Sequence, residues 1–432
     1  MQAILLSIGD ELVLGQTVDT NTAWLAQRLI AMGIHCIEHR TVHDDQDAVA
    51  RAITQTAKHC DLLIITGGLG PTDDDLTRQA LAQAMDVELV EDPKSIAAIE
   101  AIFKKLGRAM PEQNRSQAMH PAGSAMIPNS CGTAPGLRAQ LGQATIYVTP
   151  GVPREMEAMV KASVEPELRQ CACESGHTAR TILTAKLNTF GSGESDIAQR
   201  LGDLMSRERN PLVGTTVSAG QVSVRVRAEY ESASEAADAI AQTIAKVESK
   251  LGALAFGRDE TAIQDTVIAL LVKEKKTIAT AESCTGGLIA SMLTDVPGSS
   301  AAVVGGWVTY ANAMKTDQVD VPPQLIQQHG AVSGQVVQAM AAGAIERSGA
   351  DFAISTSGVA GPGGGTPDKP VGTVWIGLAW RQGGAIVTDA WLARLTGNRA
   401  AIRDRAGKCA LQLLRLHLMG QPLDLVRWVS RG

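Results

Sequence analysis

Thr277-Ile278-Ala279-Thr280-Ala281-Glu282-Ser283-Cys284-Thr285-Gly286-Gly287-Leu288-Ile289-Ala290-Ser291-Met292-Leu293-Thr294-Asp295-Val296 is the stretch on which the fold turns. Its first five residues read as a strand, the glycine pair interrupts the run, and GLIASMLTDV brings back apolar residues at helical spacing. A strand that passes through a tight turn into a helix is the unit of an α/β fold with a parallel sheet. In that architecture chemistry gathers beyond the carboxyl ends of the strands.

The pattern continues outward from this stretch. Upstream, from about Phe256, TAIQDTVIALLVKEKK reads as a helix. Downstream come the strand AVVGGWVTY, a helix from Val332 to Ser348, and the strand DFAISTSGV, which ends on Gly361-Pro362-Gly363-Gly364-Gly365. TVWIGLAW and AIVTDAWLA read as paired antiparallel strands, and an amphipathic helix runs from about Arg399 to His417. The same rhythm opens the chain, with AILLSI (3–8), a helix from Thr22 to Met32, a helix from Asp47 to Lys58, and the strand CDLLIIT ending at Gly67-Gly68. A charged helix follows at Ile96–Leu106, then a loop-rich stretch to about Leu141, then ATIYVTP. Three loops fall at the carboxyl edge of this first sheet: Gly9-Asp10-Glu11, Gly67 to Thr72, and Pro150 to Arg154. Between the two units, TILTAKL, ESDIAQRLGDLM, QVSVRVRAEY and a helix from Ala233 to Leu251 make a small α+β module. Three domains are expected, at 1–170, 176–256 and 258–432, in keeping with a chain of 432 residues.

Composition narrows the function. The chain is 45% hydrophobic but only 3% aromatic, so Ala, Val, Leu and Ile must fill its cores. A net charge of −6 argues against a nucleic-acid coat or an anionic-membrane binder, and in the middle module basic and acidic residues cancel. The start MQAILLSIGDELVLG has no basic n-region and no apolar run reaches membrane length, so a cytoplasmic protein is expected. Seven scattered cysteines form no paired CxxC motif, and the CxC at Cys171 and Cys173 reads as reduced thiols.

Several residue sets carry candidate chemistry. Ser283 leaves a strand-to-helix turn, where free amides at a helix start can hold a developing oxyanion. The same serine also reads as an ordinary helix cap. His329 and His417 are the histidines of this unit, and neither has a triad-like setting. Tyr310 and Lys315 follow a strand directly, so Lys315 is a candidate base and Tyr310 a proton relay or an orienting group. From the residues alone, a surface lysine beside a packed tyrosine is the favoured reading. A basic lysine must fall from a pKa near 10.4. The loop Ser357 to Gly365 and the Arg399/Arg403 pair can hold a phosphate, although glycine loops also serve as connectors. Gly191-Ser192-Gly193-Glu194 reads as a connector before a phosphate loop. Near the N-terminus, Gly67, Gly68 and Gly70 permit close approach to a pyrophosphate. The aspartates that follow would repel it unless a divalent cation intervenes, and Asp44 ends a strand where it can share the ion.

AESCTGG, GGWVTYANAMK, GAVS, TSGVAGPGGGTPDKPVGTVWIG and LTGNRAAIR, in that order, resemble the C-terminal domain of the CinA (competence/damage-inducible protein A) family. The resemblance implies a nicotinamide-nucleotide amidohydrolase that converts nicotinamide mononucleotide to nicotinic acid mononucleotide and ammonia without a cofactor. It implies Ser283 as nucleophile, Lys315 as base and Tyr310 as helper, with Thr285, Gly286, Gly287, Asn312, Ser357, Gly358 and Arg399 around the substrate. Ser357 stands where family members usually carry threonine, and Cys284 ranks below Ser283 as nucleophile. IGDELVLGQTVDTNTAWLAQRL, ITGGLGPTDDDLT, NRSQAMHPAGSAMIPN, GTAPG and TPGVPREM resemble the family's N-terminal domain. That domain is similar to the MoaB/Mog molybdopterin-binding fold and is associated with metal-dependent ADP-ribose pyrophosphatase activity. The resemblance implies a phosphate site at Asp10, Glu11, Gly67, Gly68, Gly70 and Thr72, with Asp44 and Asp75 on a divalent ion. His120 lies where leucine is more usual and carries no assigned role. LNTFGSGESDIAQRL, RNPLVGTTVS and VSVRVRA resemble the family's KH-type linker domain, and a homodimer is implied. Two competing readings are a molybdopterin-handling transferase and a non-catalytic competence or DNA-repair adaptor.

Overall fold

A mostly apolar, buried run, Ile4 to Ile8, makes β1 (Gln2–Ile8) an interior strand of a six-stranded sheet, flanked in parallel by β2 (His35–Val42) and β3 (Leu62–Thr66). The computed structural model describes the backbone except residues 175–180, and side chains except those of 171–180. The side chains of Cys171 and Cys173 and the expected boundary near 176 lie outside the described residues. The chain forms two compact units: Met1–Leu183 with Glu229–Ala236, and Thr184–Ala228 with Ala237–Gly432.

In the first unit, β4 (Leu89–Glu91) and β5 (Met119–Pro121) form a separate antiparallel pair. β6 (Ala125–Ile127), β7 (Gly136–Leu141) and β8 (Ala144–Thr149) complete the main sheet in the order β2-β1-β3-β8-β7-β6. β8 runs parallel to β3, β7 pairs antiparallel with β8, and β6 pairs antiparallel with β7. The expected loop-rich stretch before Leu141 therefore holds three short strands and a 3-10 turn at Glu112–Ala118. Strands of three to six residues between Gly and Pro leave too little periodicity to read. Helices α1 (Asp10–Val13), α2 (Thr20–Ala31), α3 (Gln46–Thr56), α4 (Thr77–Met85), α5 (Pro93–Lys105), α6 (Pro153–Met159) and α7 (Glu165–Glu174) connect the strands. Asp19, Asp45 and Asp92 cap α2, α3 and α5 through their side chains.

The second unit begins with β9 (Thr181–Phe190), α8 (Glu194–Leu201), β10 (Leu212–Ser218), β11 (Gln221–Tyr230), α9 (Ala233–Leu251) and β12 (Ala255–Arg258). The strands lie in the order β10-β11-β9-β12. Alternation in VSVRVRA puts Val222, Val224 and Val226 on one face, against Ile197, Leu201, Ile244 and Val247 of the helices.

α10 (Ile263–Lys273) leads into β13 (Ile278–Glu282), and α11 (Leu288–Thr294) precedes β14 (Val303–Val308). Two short helices unforeseen in the sequence, α12 (Asn312–Val319) and α13 (Pro323–His329), come before α14 (Gly334–Ser348). β15 (Phe352–Gly358), β16 (Thr373–Gln382), β17 (Ala385–Arg394), α15 (Arg399–Leu418) and β18 (Val429–Arg431) complete the chain. The sheet order is β14-β13-β15-β16-β17-β18. β13 is parallel to β14 and β15, and the β15–β18 pairs are antiparallel, so TVWIGLAW and AIVTDAWLA pair as expected. α10 and α15 cover one face in a core that includes Ile278, Ile354, Leu411 and Leu414, and α14 covers the other through Val336, Met340 and Ala344. Small residues let the layers close in: a Cβ on Gly343 would lie 1.9 Å from the Val319 carbonyl. Among the described residues no helix is long and apolar enough to cross a membrane.

The middle sheet is joined to the last sheet rather than strung beside it. Phe190 and Phe256 belong to the same apolar cluster as α15. Gln412 donates to the Phe190 carbonyl at 3.0 Å, and Arg415 donates to the Ala253 and Ala255 carbonyls at 2.8 and 2.6 Å. Leu414 is fully buried in this shared core. Leu414→Ala is expected to destabilise the second unit by roughly 2–5 kcal/mol. Denaturant unfolding followed by hydrogen exchange should show β9 and α15 losing protection together.

Candidate active site

The backbone at the end of β13 fixes the turn that carries Ser283. The Ser283 amide donates to the Thr356 carbonyl at 2.9 Å, and the Gly286 amide closes the turn onto the Ser283 carbonyl at 3.1 Å. Gly286 and Gly287 have φ values of 60° and 87°, a left-handed pair that side-chain-bearing residues rarely adopt. Glu282, fully buried, accepts from the Ile289 and Ala290 amides at 3.1 and 2.8 Å. The expectation that the helix start holds an anion is therefore corrected, because a carboxylate of the chain already occupies those amides. The amides of Cys284, Thr285 and Gly287 in the same turn donate to no oxygen acceptor among the described residues. Thr285 is buried and shares a 2.6 Å hydrogen bond with the Thr356 hydroxyl. Arg403, expected at a phosphate, instead grips the Thr285 carbonyl through Nε and Nη2 at 3.1 and 2.6 Å.

β14 delivers the second component. Its exit residue Thr309 donates its amide to the Glu282 carbonyl at 2.7 Å, and α12 then places Lys315, only 1% exposed, behind Ser283. Lys315 Nζ lies 3.2 Å from Ser283 Oγ, 2.9 Å from the Thr309 carbonyl and 3.3 Å from the Tyr310 carbonyl. Burial pushes the Lys315 amine below its ordinary value, with a smaller opposing effect from Cys284. A neutral amine has two N–H bonds and one lone pair. The two carbonyls take the former, and the lone pair is left to accept the serine proton. Cys284 is buried and its thiol is pushed up to about 12, mainly by burial, so it is almost entirely protonated at neutral pH.

The remaining expected residues divide. Tyr310 is exposed, and its hydroxyl accepts from Arg399 Nη2 at 3.0 Å, so its contribution to Lys315 is a carbonyl and not a phenol. Arg399 also donates to the Gly361 carbonyl at 2.8 Å, which ties the Gly361–Gly365 loop to the start of α15. Asn312 opens α12 and is exposed. Ser357 lies one residue beyond Thr356, but it is buried and donates to the Ala331 carbonyl at 2.7 Å. A Cβ on Gly358 would meet the Thr373 carbonyl at 2.6 Å, so that glycine permits strand packing. Reading the sequence missed Glu282, Thr309 and Thr356. The available signal was a lone acid at the end of the apolar strand IATA.

In the first unit the three expected loops do converge. A cleft of about 420 Å³ is lined by Glu11, Asp44, Gly67 to Gly70, Asp74, Asp75 and Glu155. Asp75 closes its own loop, accepting from the Gly70 amide at 2.7 Å and from the Thr72 amide and hydroxyl at 2.9 and 2.6 Å. Asp10 and Asp44 clasp each other's backbone: the Asp10 amide donates to Asp44 at 2.8 Å and the Asp44 amide to Asp10 at 3.1 Å. Burial raises the Asp44 carboxyl, and the nearby charges of Asp10, Glu11 and Asp74 add to this against the lowering effect of the Asp10 amide. Behind the loop, buried Arg78 donates to the Leu69 carbonyl at 2.7 Å. Among the described residues no three His, Cys, Asp or Glu side chains converge closely enough to hold an ion by themselves. The oxygen donors fit a hard divalent cation that a phosphate helps to ligate, not a cage built from protein alone.

Comparison with known proteins divides the chain into three matched segments. Residues 4–170 match the family described as "Probable molybdopterin binding domain", 184–257 match "Damage-inducible protein CinA KH domain", and 260–418 match "CinA C-terminal domain". A "Putative competence-damage inducible protein" of Symbiobacterium thermophilum is 41% identical over 97% of this chain and 99% of its own length. A "CinA-like protein" of Frankia casuarinae is 40% identical over 98% of this chain and 97% of its own. A solved structure from Thermoplasma acidophilum, described as CinA with unknown function, is 35% identical, covers 39% of this chain and 97% of its own, and has a TM-score of 0.37. With an N-terminal domain of the molybdopterin-binding type, a KH-type middle domain, a C-terminal domain matched over 260–418, and relatives about 40% identical along nearly its whole length, the chain belongs to the CinA family.

Proposed function

We propose that the C-terminal domain hydrolyses the amide of nicotinamide mononucleotide, giving nicotinic acid mononucleotide and ammonia, with Ser283 as nucleophile and Lys315 as base. The observation that carries this reading is the buried Lys315 amine 3.2 Å from Ser283 Oγ, with uncharged partners around it. In the first step Lys315 Nζ takes the Ser283 proton while Oγ bonds to the carboxamide carbon. The carbonyl electron pair moves to oxygen, where the Gly287 amide, and those of Cys284 and Thr285 that otherwise face only the Cys284 sulfur, are the available donors. Collapse breaks the C–N bond, and the Lys315 ammonium protonates the departing nitrogen. A water then gives its proton to Lys315, attacks the acyl-serine and releases the acid, returning the proton to Oγ. Arg399 and the Gly361–Gly365 loop are the groups suited to the phosphate end. The chemistry draws its nucleophile and base from the chain and needs no cofactor.

Ser283→Ala is expected to lower ammonia release from nicotinamide mononucleotide by at least about 10³-fold, and Lys315→Met by at least about 10²-fold. Wild-type rates with either variant would remove the mechanism. The pH profile has a definite sign: Lys315 works when neutral, so kcat/KM rises with pH through its lowered pKa and then levels. The same shift acts on stability. Between the folded pKa and the ordinary 10.5 the unfolded chain binds more protons, so stability rises with pH in that window. Lys315→Met should flatten this segment of a stability–pH curve measured by denaturant titration.

For the first unit, the glycine loop beside an acidic cleft supports a second activity, divalent-cation-dependent hydrolysis of the ADP-ribose pyrophosphate bond. A bound ion would neutralise phosphate charge against Asp44 and Asp75. The Gly67–Gly70 backbone would cradle the phosphates, and Asp75 would hold the loop in shape. ADP-ribose turnover is expected with Mg²⁺ or Mn²⁺ and should vanish with a chelator. Asp44→Asn should lower it at least about tenfold with ammonia release unchanged. If no metal supports turnover, the domain is a binding module, and pterin copurifying with the chain would make it a molybdopterin handler.

A further inference from the structure

A small cavity of about 230 Å³ opens inside the second unit and shares no lining residue with the Ser283 turn. One wall is the Gly193–Glu194 turn and the β10–β11 hairpin near Val217 and Gly220. The other is Arg394 to Thr396, Arg405 and Trp428. Its floor is apolar, since Val222 and Leu395 are both buried.

The polar groups at this cavity are unequally satisfied. Glu194 is occupied by the Thr215 hydroxyl at 2.7 Å. Arg405 Nη1 donates to Thr396 O and Oγ1 at 2.9 and 3.3 Å, but its Nε is buried with no acceptor. The hairpin closes directly over that N–H, because a Cβ on Gly220 would lie 3.3 Å from it. Arg394 is exposed at the rim, and among the described residues its guanidinium makes no hydrogen bond or ion pair. A buried donor without a partner costs free energy until an acceptor arrives, and guanidinium groups favour carboxylates. The volume is below the roughly 300–1,000 Å³ usual for larger ligands, so the occupant is about one ring in size.

We propose that this cavity binds a small organic anion, a carboxylate on a flat apolar body, with the acid toward Arg394 and Arg405 and the ring over Val222, Leu395 and Trp428. The probe is benzoate, titrated calorimetrically into the full chain at low salt, with benzamide as its uncharged counterpart. Benzoate is expected to saturate one site, and benzamide to bind at least tenfold more weakly. Arg394→Ala should weaken benzoate at least about tenfold and Val217→Glu should abolish its binding. Both positions are exposed, and unchanged thermal melts would show intact folding. Arg399→Ala should leave the affinity unchanged. Three results would each overturn the assignment: no saturable binding by the wild type, equal affinity in the Arg394 and Val217 variants, or loss of binding in Arg399→Ala.

Discussion

The geometry of the C-terminal site depends on the buried carboxylate of Glu282. A carboxylate excluded from water is tolerable only when its oxygens are hydrogen-bonded, and here the Ile289 and Ala290 amides supply those bonds. That requirement locks β13 to the first turn of α11, with Ser283 at the bend. The same residue's carbonyl takes the Thr309 amide, and the Thr309 carbonyl takes Lys315 Nζ. One residue at the end of β14, bonded through its amide and its carbonyl, therefore sets how far the amine stands from the serine. Glu282 touches neither reacting atom, yet the Ser283–Lys315 spacing follows from its bonds.

The two glycine-rich regions look alike in sequence and are opposite in electrostatics. Around Ser283 the close partners of the amine are carbonyls and a hydroxyl, so an ammonium there loses hydration without gaining a counter-ion. The neutral amine is favoured, which is the form the proposed lysine base requires. In the first unit the glycines face carboxylates, among which Asp44 is raised by burial and by its acidic neighbours, and the buried cation Arg78 sits behind the loop, bonded to its carbonyls. A negatively charged ligand enters such a cleft only with added positive charge. Glycine supplies close approach in both places, but the surrounding charges decide what can come close.

Periodicity made most strands and helices legible, including the antiparallel pair β16 and β17 and the three loops that meet at the first cleft. It could not reveal β5 to β7, which are too short to show alternation, or α12 and α13, whose polar turns resemble loop. Ser283 and Lys315 stood out as candidates because the serine directly follows the end of β13 and the lysine comes shortly after the end of β14, within α12. The destinations of long side chains were not. Arg403 had the look of a phosphate ligand and holds Thr285. Tyr310 had the look of a relay, and its phenol meets Arg399 instead. Ser357 spends its hydroxyl on Ala331. Spacing reports which face a residue occupies, but a flexible arm chooses among acceptors that only the assembled fold brings within reach.

α15 shows why the second unit is one body despite matching two domain families. Its 20 residues span about 30 Å. At its first turns Arg399 and Arg403 hold the Gly361 loop and the Ser283 turn, and at its far end Gln412 and Arg415 hold the middle sheet by its backbone. The Arg415 guanidinium, its pKa pushed down to about 10 by burial, has among the described residues only backbone carbonyls and Gln412 as acceptors. Those bonds fix position more than they add stability, because a buried charge without a counter-ion is costly. A helix does not bend easily over this length. The middle sheet and the serine turn are thus held at the two ends of a single helix.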